Sequence, residues 1–116
     1  MSEREPIPEL PYFDLDYEKL KDQSGMGVVP AIIVNKQSLE ILMVGFMNRE
    51  AFEISRASRK ATFWKRTEAR LWQKGESSGV YLEIDDWKKD CDSDTLLVMV
   101  RTNGNVCHTG TPTCFD

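Results

Sequence analysis

The apolar residues of this chain come in short runs, none long enough for more than a strand or a brief helix. The run at 28–34 has seven residues, is rich in β-branched side chains and is bounded by Gly27 and Asn35. A second run at 41–47 follows after a polar turn, the pattern of a β-hairpin. No run approaches the roughly 18 residues that a membrane-crossing helix needs. The N-terminal Met-Ser-Glu-Arg-Glu-Pro lacks the basic start and apolar stretch of a secretory signal. The expectation is a cytoplasmic protein with no membrane partner. At 116 residues and a net charge of −4 the chain suits one ordered domain.

Further along, Asn48 is a helix N-cap, Glu50 sits in the first turn, and Arg56, Arg59 and Lys60 crowd the far end. One short helix at 49–59 is expected, with Ala51, Phe52 and Ile54 turned inward. The stretches 62–66 and 70–74 read as a second hairpin. Residues 80–87 and 95–101 read as further strands, the last ended by the turn signal Asn103-Gly104-Asn105. This is a mainly β, α+β domain over 1–116, with an acidic N-terminal arm and lead-in at 1–26 and a core at 27–116.

Charge is distributed unevenly. Residues 1–22 carry seven acids against three bases, with Pro6, Pro8 and Pro11 among them, so the first dozen residues read as an extended arm. From Arg56 to Lys74 seven bases face one acid, Glu68. That basic centre suits phosphates, with Trp64 and Trp72 as stacking faces, or it is a solvated face over core tryptophans. A single-stranded nucleic acid partner is disfavoured by an isoelectric point near 5.0.

The three cysteines lie in the last 26 residues, an odd count that fits reduced thiols better than a disulfide scaffold. Cys91, Cys107, His108 and Cys114 are the soft-metal candidates. Three cysteines fit a catalytic zinc site with one open position, although their spacings match no zinc finger. His108 follows Cys107 directly, and neighbours on an extended segment point to opposite faces, which casts His108 as a nearby base rather than a ligand. The alternative is ordinary buried thiols and a satisfied histidine. In Asp90-Cys91-Asp92-Ser93-Asp94, alternate carboxylates suit a hard cation such as Mg²⁺, or form a solvated acidic loop. A calcium loop is excluded, because its sixth position is Thr95 and its twelfth Arg101.

Together these residues resemble the phosphoribosyl-AMP cyclohydrolase family of histidine biosynthesis. The matching stretches are Phe46-Met47-Asn48-Arg49-Glu50-Ala51, Phe63-Trp64-Lys65-Arg66 and Leu71-Trp72-Gln73-Lys74-Gly75-Glu76-Ser77-Ser78-Gly79. They continue in the Asp90–Asp94 motif and in Cys107-His108-Thr109-Gly110-Thr111-Pro112-Thr113-Cys114-Phe115. The resemblance implies a folded, barrel-like mixed or antiparallel sheet with one short helix, in an intertwined homodimer. It implies zinc held by Cys91 of one chain with Cys107 and Cys114 of the other, and magnesium on Asp90, Asp92 and Asp94.

The implied reaction, the third step of histidine biosynthesis, hydrolyses the N1–C6 bond of the adenine ring of phosphoribosyl-AMP. Zinc-bound hydroxide attacks C6, with His108 moving a proton. Arg66, Arg70, Lys74 and Ser77 are the expected contacts to substrate phosphates. The sequence departs from the family pattern at Lys65, at Val80 and in the more acidic Thr67-Glu68-Ala69-Arg70, which bears on substrate contacts and not on the metal motifs. The appended pyrophosphohydrolase domain of some relatives is not expected here. The rival class is a non-catalytic, zinc-stabilised module binding nucleotides or single strands, with His108 as a fourth ligand.

Overall fold

Each apolar run becomes a strand in the structure, a computed structural model that describes residues 9–75, 79–104, 106 and 112–115. Strands β1 (Val29–Asn35) and β2 (Ile41–Met47) form the expected antiparallel hairpin. After helix α1 (Arg49–Ser58), the short strands β3 (Thr62–Lys65) and β4 (Arg70–Gln73) pair antiparallel. Strands β5 (Leu82–Lys89) and β6 (Leu96–Thr102) form a third antiparallel pair. The remaining ladder is parallel, with Ala31 opposite Leu96 and Asn35 opposite Val100. The mixed sheet therefore has the order β2-β1-β6-β5, and β3-β4 is a separate ribbon. Pro30 is tolerated in a central strand because the β6 ladder begins only at Ala31, so Pro30 faces β2 alone.

The barrel-like closure expected from the resemblance does not form. The four-stranded sheet is open, and a single bridge, Lys60 to Glu83, borders β5 beyond the named strands. Strands of four residues in the β3-β4 ribbon are too short to carry a continuous ladder around the sheet. The ribbon instead packs its aromatic face on β2. A Cβ on Gly45 would come within 2.5 Å of the Phe63 ring, so only glycine permits that approach.

Helix α1 starts where the cap predicts: Asn48 Oδ1 accepts the Ala51 amide at 2.8 Å. Its inward face differs by one residue from expectation. Ala51 and Phe52 are buried, but Ile54 is 37% exposed and Ser55 is fully buried in its place. The reason is polar. Ser55 Oγ accepts the Thr62 amide at 2.9 Å and donates to the Thr62 carbonyl at 3.1 Å, satisfying both backbone groups where the helix meets β3.

The extended arm expected over the first dozen residues lies mostly outside the described residues, and from Glu9 onward the segment packs on the core. Leu10, Leu15 and Tyr17 are buried. Phe13 packs beside the pair Phe52 and Trp87, whose rings stack at 4.7 Å and 7°. The Trp87 indole N–H, buried in this stack, donates to the Pro11 carbonyl at 2.8 Å. Arg56 Nε in turn donates to the Leu10 carbonyl at 2.9 Å, and its guanidinium pairs with Glu9. Gly27 lets the segment close down, since a Cβ there would sit 2.2 Å from the Tyr17 carbonyl oxygen. Among the described residues no helix is long and apolar enough to cross a membrane.

Ser55→Ala removes the partner of two buried backbone groups and is expected to cost about 1–3 kcal/mol. Urea unfolding of the variant against the parent measures that loss. A cost within experimental error would mean that the helix and β3 are not joined through this hydroxyl.

Candidate functional site

The turn from β5 to β6 brings three carboxylates together. Asp90, Asp92 and Asp94 each offer an oxygen, and these oxygens all lie within 4.8 Å of one another. Asp90 organises the turn. Its Oδ1 accepts the amides of Asp94 and Thr95, its carbonyl accepts the Ser93 amide, and its own amide donates to the Thr95 carbonyl. The Asp94 amide, and then its neighbours, hold the Asp90 carboxyl below the ordinary carboxylate range. Ser93 takes a left-handed conformation (φ 58°) that lets the chain reverse here. Three ligands of an octahedral Mg²⁺ include at least two adjacent pairs about 3 Å apart, so the three carboxylates would have to draw together to share such an ion.

Sequence reading missed what holds this turn from below. The Asp16 amide donates to the Ser93 carbonyl at 2.7 Å, and Lys19 Nζ pairs with Asp94 Oδ2 at 3.1 Å. The hydrogen bond to Asp94 raises the Lys19 ammonium above its ordinary pKa. An acidic lead-in gave no signal for either contact.

Two of the three cysteines can be placed. Cys91 is exposed in the β5–β6 turn. Cys114 is also exposed, and its amide donates to the Leu42 carbonyl at 2.8 Å on β2, the sheet's opposite edge. Thr113 fixes that segment, with Oγ1 donating to the Ile41 carbonyl at 2.6 Å. Through the ladders, Leu42 lies level with Val98 and Met99, whereas Cys91 lies beyond the pair Lys89–Leu96. Three strand spacings of about 4.8 Å and a rise of about 3.3 Å per residue put Cys91 and Leu42 roughly 20 Å apart. One chain does not bring these two thiols together. Cys107 and His108 lie outside the described residues, as does Ser77.

The basic centre is spread over several environments. The Arg66 guanidinium lies 3.7 Å from the centroid of the Phe46 ring. It lines a cleft of about 220 Å³ with Phe46, Phe63, Trp64, Lys65 and Trp72. Arg70 pairs with Glu68 at 3.2 Å, and Glu68 also takes Lys65 at 2.5 Å, so two of the departures from the family pattern answer each other. The ammonium of Lys65, then the guanidinium of Arg70, hold the Glu68 carboxyl below its usual range. Lys74 Nζ lies 5.6 Å from the Trp72 ring. Trp72 is half-buried against Phe63, at 5.9 Å between centroids, which matches a packing role on one face. Trp64 donates its indole N–H to Asp22 Oδ2 at 2.7 Å, fixing the ribbon to the N-terminal lead-in.

A family model described as phosphoribosyl-AMP cyclohydrolase matches residues 43–116. The chain is similar to proteins named histidine biosynthesis bifunctional protein HisIE. With that of Photobacterium profundum it shares 52% identity over 90 residues, covering 78% of this chain and 44% of that one. With that of Bacteroides thetaiotaomicron it shares 47% over 102 residues, covering 88% and 48%. With that of Haemophilus influenzae it shares 45% over 101 residues, covering 87% and 46%. The chain spans about half the length of the curated relatives it matches.

Asp22 gives this region its pH dependence. Ser24 first, then Trp64 and the Met26 amide, donate to its carboxylate and push its pKa from 3.8 down to about 2. A depressed folded value means that its contribution is present above pH 3.8 and is lost as pH falls towards 2. The Trp64 part of the fluorescence, isolated by difference with Trp64→Phe, should change with a midpoint well below 3.8. Asp22→Asn should abolish that transition. A midpoint at 3.8 in the parent, or an unchanged transition in Asp22→Asn, would contradict the assignment.

Proposed function

Because this chain belongs to the phosphoribosyl-AMP cyclohydrolase family, we propose that it hydrolyses the N1–C6 bond of the adenine ring of phosphoribosyl-AMP, the third step of histidine biosynthesis. The observation that carries the site is the acidic turn: three converging carboxylates with the exposed thiol of Cys91 set among them. Oxygen donors of this kind suit magnesium, and thiolates suit zinc. The proposed zinc ligands are Cys91 of one chain with Cys107 and Cys114 of the partner subunit. The separation of Cys91 from Cys114 within one chain supports that sharing, and with it a homodimer.

Held by those three thiolates, zinc would acidify a bound water. The protein's own residues do the rest. In the overall reaction the water oxygen ends on C6 as a carboxamide, the C6–N1 bond breaks and N1 gains a proton. His108, next to Cys107 in sequence, is proposed to move that proton. Asp90, Asp92 and Asp94 would hold magnesium, and Lys19 pairs with Asp94 alone among them. Arg66, Arg70, Lys74 and Ser77 are proposed to contact substrate. Arg66 is supported by its place in an aromatic cleft, while Arg70 would have to divide its charge with Glu68.

Ring opening changes the ultraviolet spectrum, so turnover of phosphoribosyl-AMP can be followed directly on zinc-quantified protein with Mg²⁺. Activity should stop with a chelator and return with zinc. His108→Ala should lose about 10²–10⁴-fold in rate while keeping its zinc. No turnover from the zinc-loaded parent would refute the proposed activity, and loss of zinc in His108→Ala would make His108 a ligand.

A further inference from the structure

A second cleft lies at the end of the sheet where β6 finishes, away from the acidic turn. Lys60, Tyr81, Glu83, Arg101, Thr102 and Asn103 line it, and its volume is about 340 Å³. That falls within the roughly 300–1,000 Å³ of small-molecule clefts. Its walls are fixed by the backbone. The bridge between Lys60 and Glu83 sets Lys60 on the outer edge of β5. Asn103 is held from both ends, accepting the Tyr81 amide at 3.1 Å and donating to the Gly79 carbonyl at 3.1 Å.

The charges around it do not balance. Asp85, at the bulge of β5, takes both Lys36 and Arg101, and the positive charge of Arg59 reaches it as well. Glu83 is the other carboxylate. Against these two acids stand Lys36, Arg59, Lys60 and Arg101, an excess of two positive charges in a chain whose net charge is −4. Arg59 Nε is buried without a hydrogen-bond partner among the described residues. Lys60 makes no ion pair among them, and its ammonium rests 4.8 Å from the Tyr81 ring centroid. By contrast, Lys65 and Arg70 on the ribbon share Glu68.

The cleft is also placed for the reaction. Cys107 follows Asn103 by four residues, so at most roughly 14 Å of chain separates this wall from the first C-terminal thiol. Cys114, bonded to Leu42 near the start of β2, lies towards the same end of the sheet, because β2 starts where β1 and β6 finish.

We propose that Lys60 and Arg101, with Asn103 beside them, bind one of the two phosphate monoesters of the substrate. This rests on the cyclohydrolase reading, whose substrate carries a phosphate on each of its two ribose units. An ammonium and a guanidinium make charge-assisted hydrogen bonds to a phosphate, and the preset amide of Asn103 adds a donor or acceptor for its sugar.

The test is calorimetric titration of the zinc-loaded protein with AMP and, separately, with ribose 5-phosphate, alongside kinetics with phosphoribosyl-AMP. Lys60→Met and Arg101→Gln should each weaken one of the two probes about tenfold. They should raise KM for phosphoribosyl-AMP more than they lower kcat, with zinc content unchanged, and Lys60→Arg should restore most of the affinity. Unchanged affinity for both probes together with unchanged KM, in an enzyme that turns over, overturns the cleft and leaves the cyclohydrolase reading standing. If the parent does not turn over phosphoribosyl-AMP but Lys60→Met still weakens a probe, the phosphate site stands and the cyclohydrolase reading falls.

Discussion

The parallel ladder between β1 and β6 decides where the acidic turn and the C-terminal thiol Cys114 lie. The two hairpins of the four-stranded sheet are local, but this pairing joins residues 31–35 to 96–100 and fixes the two ends of the sheet. At one end the β5–β6 turn presents Asp90, Cys91, Asp92 and Asp94. Towards the other end β6 leads to Asn103 and then to the C-terminal segment that docks Cys114 on β2. Had β6 paired antiparallel to β1, the acidic turn and Leu42 would share one end and a single chain could gather its thiols. With the observed topology the proposed zinc site would draw its thiols from two copies, in the isologous manner of a two-fold dimer.

Much of the fold was legible because it is written in short-range patterns. The seven-residue runs at 28–34, bounded by Gly27 and Asn35, and at 41–47 match β1 and β2 almost to the residue, and Asn48 located the start of α1. What the sequence did not give depends on partners far away in the chain. Ser55 was not among the residues expected to face inward, and it is buried because its hydroxyl satisfies the backbone of Thr62. The acidic, proline-rich start reads as an arm, yet Leu10 and Phe13 pack with Phe52 and Trp87 because a buried indole N–H needs the Pro11 carbonyl. Barrel closure failed for a reason of length, since the β3-β4 ribbon has strands of only four residues.

The candidate site was legible in its residue types and much less so in its arrangement. The alternating aspartates converge as their spacing suggested, because the turn is built on hydrogen bonds to Asp90 itself. The basic centre proved misleading when counted as a block. Lys65 and Arg70 share Glu68, Arg56 holds Glu9, and Arg66 lies on Phe46. Lys60, which reads in sequence as a helix-terminal charge, reaches the cleft beside Arg101 because residues 59–61 turn along β5.

The central claim is that one catalytic site needs Cys91 from one chain and Cys114 from another. It is tested most directly by complementation. Cys91→Ser and Cys114→Ser proteins, each inactive alone, are unfolded together and refolded with zinc. Statistical pairing leaves mixed dimers with one intact site each, so about a quarter of the parental activity should return. A mixture as inactive as its components would contradict a site shared between chains, and full activity in either single variant would contradict the ligand set itself.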